Sequence, residues 1–225
     1  MAALRQQSDD DPFANSTVLG ILPAEDRRRL TERCLERRFD KGQIVYFEGQ
    51  VADSMLALVA GHLKVSTFSS EGSELLIATV TPGEIIGELG VLSTDPRSAT
   101  VTATTPSRAL VLSRAVVMEL IEERPAMAVA MLCRLADMVR KTTEAASDLV
   151  FLDLPQRVAK FLIDKAADSS GGVRVIQSDL AAAIGASRQR VNASLQEFQR
   201  RGWISLESRT VHILDPDALR QVLRI

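Results

Sequence analysis

From residue 39 to residue 113 the chain alternates short apolar, β-branched runs with turn residues. Six runs carry this pattern, at 44–47, 55–59, 63–66, 75–78, 98–104 and 108–112. Glycines stand between them, at positions 42, 49, 61, 72, 83 and 87. Short strands separated by close turns are typical of a small antiparallel barrel or jelly roll with glycines at its corners. We therefore expect a β-roll over this stretch.

Helical patterns precede and follow the β-rich stretch. Residues 13–36 are predicted to be helical, with Pro23 in the first turn of a helix over 25–35. A short helix is predicted over 118–123, and a long helix begins at Pro125. Residues 1–12 are polar, with three consecutive aspartates, and are predicted to be disordered.

The long helix carries an apolar seam with steps of four and three residues. Its members are Ala128, Leu132, Leu135, Val139, Thr142, Ala146 and Leu149. This heptad spacing predicts a partner helix, and hence a homodimer. The alternative is a single amphipathic helix packed on its own barrel. Thr142 needs a hydrogen-bond partner at such a position, either a threonine across the dimer or the edge of a bound purine.

The C-terminal third predicts a helix-turn-helix. The pattern breaks at Asp153-Leu154-Pro155, which we interpret as a hinge, before a helix over 156–166 and a loop over 169–172. A short helix over 178–184 and the turn Gly185-Ala186 precede Ser187, a good N-cap for a second helix that runs to about Arg200. Gly202 closes that helix, and 203–206 with 210–214 predict a hairpin wing.

The predicted fold class is α+β. An N-terminal antiparallel β-barrel or jelly roll is followed by a long dimerisation helix and a C-terminal winged helix-turn-helix. The predicted boundaries are 1–12 for the disordered start, 13–124 for the β-roll domain, 125–153 for the helix and hinge, and 154–225 for the DNA-binding domain.

Composition and charge sharpen this picture. The 225 residues are 46% hydrophobic and 25% charged, which is typical of a soluble globular chain. The net charge is −2, yet residues 155–214 hold nine Lys and Arg against five Asp and Glu, a net +4, while the remainder carries −6. A basic module on an acidic body indicates double-stranded DNA as a partner. We expect no signal peptide and no membrane span. Cys34 and Cys133 favour a reducing compartment, so we expect a cytoplasmic location.

The stretch from Gly87 to Thr100 carries the first candidate site. Gly87 and Gly90 allow a tight turn, and a short helical turn after Gly87 would aim N–H groups at an anion. Arg97 offers a fork of donors to phosphate oxygens, and the acceptor Glu88 suits a sugar hydroxyl. The alternative is an ordinary turn with a solvated arginine.

The second helix of the helix-turn-helix carries the other candidate site. In such motifs its first residues enter the major groove. Arginine can pair with guanine O6 and N7, and glutamine suits adenine. The alternative is a helical hairpin with solvated arginines. We assign DNA contacts to Ser178, Ser187, Arg188, Gln189, Arg190, Asn192 and Arg209.

The Gly87–Thr100 spacing resembles the phosphate-binding cassette of cyclic-nucleotide-binding domains. The resemblance implies that Arg97 and Ser98 hold the cyclic phosphate and that Glu88 takes the ribose 2′-hydroxyl. The other cassette residues that it implies are Ile86, Gly87, Leu89 and Ala99.

Both motifs, in this order and joined by a seam helix, resemble the Crp/Fnr regulators over about residues 15–215. The 151–153 stretch matches that family's hinge. Counting back from it, the resemblance implies that Thr142 meets the base in its own subunit and that Thr143 does so across the dimer. Cyclic AMP is the implied ligand, with cyclic GMP as the alternative. At Gln189, Arg190 and Ala193 the sequence departs from the family pattern, so the operator sequence does not carry over.

Two further alternatives remain. The same fold could bind DNA without a ligand, or the barrel could belong to a metal-dependent oxygenase. An oxygenase needs several His or carboxylate ligands, but residues 39–113 hold only His62, and the chain's other histidine is His212. We therefore expect neither metal, haem nor catalytic residues, and the chain is predicted not to be an enzyme. Transcription activation would add RNA polymerase as a partner.

Overall fold

The fold is described by a computed structural model, which covers residues 11–167, 173–174, 177–207 and 210–223. The chain divides into two compact units. The first runs to Thr67 and resumes from Ile77 to Met138, and the second holds Phe68–Leu76 and the chain from Val139 onward. In the described part of the chain no helix is long and apolar enough to cross a membrane.

Two four-stranded sheets build the β-roll. The strands are β1 Leu35–Phe39, β2 Ile44–Tyr46, β3 Ser54–Ala60, β4 Leu63–Phe68, β5 Glu74–Val80, β6 Ile85–Ile86, β7 Thr100–Ala103 and β8 Ser107–Ser113. The sheet orders are β1-β8-β3-β6 and β2-β7-β4-β5, and the pairings β1–β8, β3–β8, β3–β6, β2–β7 and β4–β7 are antiparallel. All six strands predicted from the sequence are present, and the antiparallel roll is confirmed.

Strand β3 shows why the roll is stable, because both of its faces are buried. Leu56 and Leu58 face a core that also receives side chains from the other sheet, such as Val65. Met55 and Ala57 point the opposite way, into a second core shared with the helices. Successive side chains of a strand alternate between faces, so one apolar strand supports two cores.

Four helices belong wholly or partly to the first unit. They are α1 Ala24–Glu32, α2 Glu88–Ser93, α3 Arg114–Glu123 and α4 Pro125–Phe151. Helix α3 starts earlier than predicted, because the Ser113 side chain caps it by accepting from the Val116 amide. Helix α4 begins at Pro125 as predicted.

The prediction of a helix over 13–36 is wrong at both ends. Residues 13–22 form consecutive turns, where the Ser16 hydroxyl accepts from the Leu19 amide and so competes with helical bonding. At the other end, Leu35 and Glu36 belong to β1. The expectation of disorder also fails at Asp11, whose carboxylate pairs with Arg27 at 2.7 Å.

The second unit contains the predicted helix-turn-helix and wing. Helices α5 Leu154–Ala167, α6 Gln177–Ala183, α7 Arg188–Arg200 and α8 Pro216–Val222 enclose one core. Strands β9 Val173–Arg174, β10 Ile204–Glu207 and β11 Thr210–Ile213 form a sheet of order β10-β11-β9. The loop predicted at 169–172 lies outside the described residues.

The break between α4 and α5 falls at Leu152 and Asp153. The Asp153 carboxylate accepts from the Gln156 amide, and the Gln156 side chain accepts from the Asp153 amide, each at 2.9 Å. This reciprocal pair is a capping box that starts α5. Across the break, Lys160 reaches the Asp148 carboxylate at 2.5 Å.

Candidate functional site

Gly87 sets the geometry of the cassette. Its φ of +90° lies in the left-handed region, and it stands immediately before α2. A Cβ at this position would lie 2.4 Å from Arg97 Nη1, which donates to the Gly87 carbonyl at 3.2 Å. Glycine is therefore required here both for its backbone conformation and for the close approach of Arg97.

Arg97 is buried, with 6% of its surface exposed. Its Nη2 donates to the Ser54 hydroxyl at 3.4 Å, and its guanidinium lies 4.2 Å from the centre of the Tyr46 ring. Its Nε has no hydrogen-bond partner among the described residues. A buried guanidinium with an unused donor fits an anion such as the phosphate of a cyclic nucleotide.

Glu88 is buried as well, with 2% exposed, and its partner was not predicted from the sequence. Arg134 on α4 donates from Nε to Glu88 Oε1 at 2.8 Å and from Nη2 to the Ile85 carbonyl at 2.7 Å. The available signal was spacing, because the buried Met127 and Met131 and then Arg134 follow one another at steps of four and three residues along one helix face.

The other predicted cassette residues flank Glu88 and Arg97 in the sequence. Ile86 and Gly87 are half-buried, Leu89 is exposed and Ala99 is buried. Ser98 is exposed beside Arg97, whose backbone is bonded to the loop at Gly49 and Gln50. The structure therefore brings together Gly87, Glu88 and Arg97 as the sequence predicted.

Thr142 and Thr143 are exposed on α4. The Thr143 hydroxyl donates to the Val139 carbonyl at 2.9 Å, one turn earlier in the helix. These residues belong to the second unit, whereas the cassette belongs to the first. Their contact with a nucleotide base stays a prediction.

Helix α4 presents two different apolar faces. One carries Met127 and Met131, which are buried in the first unit's core. The other is the predicted seam, where Leu132 is 63%, Val139 65% and Leu149 54% exposed. Ala146 is exposed too, while Ala128 and Leu135 are half-buried. The face that packs on the chain's own β-roll is therefore not the heptad seam.

The recognition helix α7 presents its first turn to solvent. Ser187 caps it by accepting from the Arg190 amide at 3.4 Å, as predicted. Arg188, Gln189 and Arg190 are exposed, and Asn192 is half-buried. Val191, Ser194, Leu195 and Phe198 hold the opposite face in the core.

At the C-terminal end of α7 the arginines are paired with a carboxylate. Glu197 accepts hydrogen bonds from Arg200 and Arg201, which lower the pKa of its carboxyl. The Arg201 guanidinium also lies 4.9 Å from the centre of the Trp203 ring. These arginines are held within the unit, whereas the described contacts leave Arg188 and Arg190 available.

Two further DNA contacts were predicted from the sequence, Ser178 and Arg209. Ser178 belongs to α6, and Arg209 lies outside the described residues. Within the described ranges, no group of three or more His, Cys, Asp or Glu side chains could hold a metal ion.

Comparisons with known proteins match both parts of the chain. A model of the cyclic nucleotide-binding domain matches residues 36–124, and one of the Crp-like helix-turn-helix domain matches residues 156–222. The chain is 33% identical to the CRP-like cAMP-activated global transcriptional regulator of Mycobacterium tuberculosis, over 87% of this chain and 91% of that protein. It is 24% identical to the cAMP-activated global transcriptional regulator CRP of Escherichia coli O157:H7, over 79% and 89% of the two chains.

A solved structure shows the same fold. The regulator CLP of Xanthomonas campestris, described as c-di-GMP responsive, superposes with a TM-score of 0.77 at 22% identity. The match covers 85% of this chain and 99% of that one.

Fold and site together define a DNA-binding regulator with an attached cyclic-nucleotide-binding domain. The chain belongs to the Crp/Fnr family of transcription regulators. The predicted fold class and family are thereby confirmed, as is the prediction of a regulator rather than an enzyme.

Proposed function

We propose that the protein is a homodimeric transcription regulator whose DNA binding is switched on by cyclic AMP. The observation that carries the proposal is the cassette itself. Arg97 is buried with an unused Nε donor, and it lies against a glycine that leaves room for close approach. In this proposal Arg97 and Ser98 hold the cyclic phosphate, and Glu88 accepts from the ribose 2′-hydroxyl.

The choice of cyclic AMP rests on relatives and on two hydroxyls. The relatives from Mycobacterium tuberculosis and Escherichia coli are both named as cAMP-activated, and the two alignments cover between 79% and 91% of each chain. We assign the adenine to Thr142 of one subunit and Thr143 of the other. Threonine hydroxyls both donate and accept, so they can also serve guanine, and cyclic GMP is the alternative ligand.

The exposed heptad face of α4 supports a homodimer. Leu132, Val139 and Leu149 are all more than half exposed in the single chain. Repeated apolar positions at this spacing pack best against the same positions of a second helix, which removes their apolar surface from water.

The proposed control of DNA binding by the nucleotide depends on helix α4, which joins the cassette to the DNA-binding part of the chain. The helix contributes Arg134 to the cassette and ends at Phe151, two residues before the cap of α5. A nucleotide that prefers one packing of the paired helices biases the placement of both recognition helices. Two such helices enter successive major grooves when they lie about 34–36 Å apart. A typical coupling between two such sites is about 1–3 kcal/mol.

The DNA partner is a pair of half-sites, contacted by Ser187, Arg188, Gln189, Arg190 and Asn192, with Ser178 and Arg209 as further predicted contacts. A regulator acts where the chromosome lies, so we place the protein in the cytoplasm. RNA polymerase is the further partner if the regulator activates transcription.

Calorimetric titration of the full chain with cyclic AMP, cyclic GMP and cyclic di-GMP tests the ligand assignment. We expect cyclic AMP to bind most tightly and Arg97→Ala to abolish binding, because it removes the phosphate clamp. Arg28→Ala, an exposed arginine on α1, is the matched control and should bind as the wild type does. Tight cyclic AMP binding by Arg97→Ala, or a preference for another nucleotide, contradicts the assignment.

A further inference from the structure

The only tyrosine of the chain lies against the phosphate arginine. Tyr46 ends strand β2, and its ring centre is 4.2 Å from the Arg97 guanidinium carbon. A cation over an aromatic ring at this distance is attracted by the negative face of the ring. Tyr46 precedes Gly87 by about forty positions, so the local sequence of the cassette does not reveal this contact.

An irregularity in β2 directs this ring. Ile44 is paired with Thr102 and Tyr46 with Val101, so two steps along β2 oppose one step along β7. Such a β-bulge re-aims the side chain that follows it, and bulges are common beside binding sites. The bulge thus lies directly beside the tyrosine whose ring meets Arg97.

The remaining contacts of Arg97 involve its two terminal nitrogens and leave Nε unpaired among the described residues. Nη1 donates to the Gly87 carbonyl and Nη2 to the Ser54 hydroxyl, while that hydroxyl donates to Asp53 Oδ1 at 2.9 Å. The guanidinium carbon lies over the Tyr46 ring, 4.2 Å from its centre. The buried Nε is the donor without a partner among the residues described.

We propose that Tyr46 is a positioning residue of the cyclic-phosphate site: its ring fixes the plane of the Arg97 guanidinium before the nucleotide arrives. This inference rests on the proposed function of the cassette. A preorganised guanidinium loses less rotamer freedom when the nucleotide binds. The affinity for the nucleotide therefore increases without any new contact to the ligand. Burial raises the pKa of Tyr46 and keeps the phenol neutral, so the ring is not a competing anion.

Calorimetry with cyclic AMP on full-length variants tests the role of the ring. Tyr46→Phe keeps the ring and should bind within about 2-fold of wild type, whereas Tyr46→Leu should weaken binding about 5–20-fold. Phe47→Leu is the matched control, because Phe47 is the adjacent aromatic and is half-exposed; it should bind as wild type does.

A spectroscopic readout separates this inference from the proposed function. Because Tyr46 is the only tyrosine, ring-labelled tyrosine gives one set of NMR signals. Arg97→Ala should shift these signals without nucleotide, and cyclic AMP should shift them in the wild type. If Tyr46→Leu does not fold, as judged by thermal unfolding, Tyr46→Met serves as the ring-deletion variant.

The outcomes are distinct. If the wild type binds no cyclic nucleotide, the proposed function fails, and the role of Tyr46 fails with it even if Arg97→Ala shifts the ring signals. If the wild type binds cyclic AMP but the ring-deletion variant binds equally well, the role of Tyr46 is wrong and the proposed function stands. A loss in Tyr46→Phe equal to that in the ring-deletion variant assigns the effect to the hydroxyl and also overturns the inference.

Discussion

The Glu88 carboxylate and the Arg134 guanidinium form a buried ion pair, with 2.8 Å between Oε1 and Nε. Glu88 comes from the cassette and Arg134 from α4, so the pair ties the sugar-binding residue to the long helix. Glu88 is 2% exposed, and a carboxylate buried to this degree needs a cation or several donors. The pair therefore fixes the position of the Glu88 acceptor where a ribose hydroxyl is expected.

Removing Arg134 should destabilise the protein and weaken nucleotide binding together. Arg134→Ala leaves the buried Glu88 carboxylate without its cation, which costs about 3 kcal/mol of unfolding free energy. Urea unfolding measures this loss. The double variant Arg134→Ala with Glu88→Gln should recover part of the stability, because no unpaired charge remains. Unchanged stability in Arg134→Ala contradicts the pairing.

A charge in the seam should separate the dimer. Val139→Asp places two carboxylates against each other at a heptad position, and like charges there oppose association. Because Val139 is 65% exposed in the single chain, the subunit itself should remain folded. Analytical ultracentrifugation should then find monomers.

Val129→Asp is the control for that experiment. Val129 is 60% exposed on the same helix but does not belong to the seam. It should sediment as the wild type does. Equal dissociation by both variants, or a stable Val139→Asp dimer, would contradict the assigned seam.

The sequence was sufficient where structure depends on local chemistry. Positive φ angles at Gly42, Gly61 and Gly87 mark the predicted turns, and Ser187 caps the predicted helix. These features need only a turn residue or a capping side chain next to the element that it ends.

Prediction failed where structure depends on distant partners. The predicted helix extended over Leu35 and Glu36, which instead begin strand β1. Arg108 of β8 pairs with Glu36 at 3.3 Å, and the strand adds to the sheet edge. Arg134 and Tyr46 reach the cassette from elements far away in sequence. A one-residue bulge cannot be derived from the hydrophobic pattern of a three-residue strand, so the position of Tyr46 needed the structure.

Arg188 should contribute sequence-specific DNA affinity. A bidentate arginine–guanine pair is worth about 1–3 kcal/mol of discrimination, so Arg188→Ala should weaken specific binding by that amount and non-specific binding less. Arg200→Ala is the control, because Arg200 is already bonded to Glu197 at the far end of the helix. Fluorescence anisotropy on selected and random duplexes measures both. An equal loss in the two variants would argue against base contact by Arg188.

The phenol of Tyr46 should resist ionisation in the folded protein. An ordinary tyrosine titrates near pH 10, and burial raises the pKa of Tyr46 above that value. A raised folded-state pKa means that stability is complete below the unfolded pKa and falls as pH rises past it. Near-ultraviolet absorption at about pH 10.5 should show no tyrosinate until urea unfolds the chain. Ionisation at about pH 10 in the native protein is the result that excludes burial of the ring.

DNA affinity with and without cyclic AMP tests the central claim most directly. The duplex is one selected from a random pool by the full-length protein in the presence of cyclic AMP. We predict that cyclic AMP tightens binding about 5–150-fold, and that Arg97→Ala shows no such response. Equal affinity of the wild type with and without cyclic AMP would contradict the account, and would leave a regulator that binds DNA independently of its cassette.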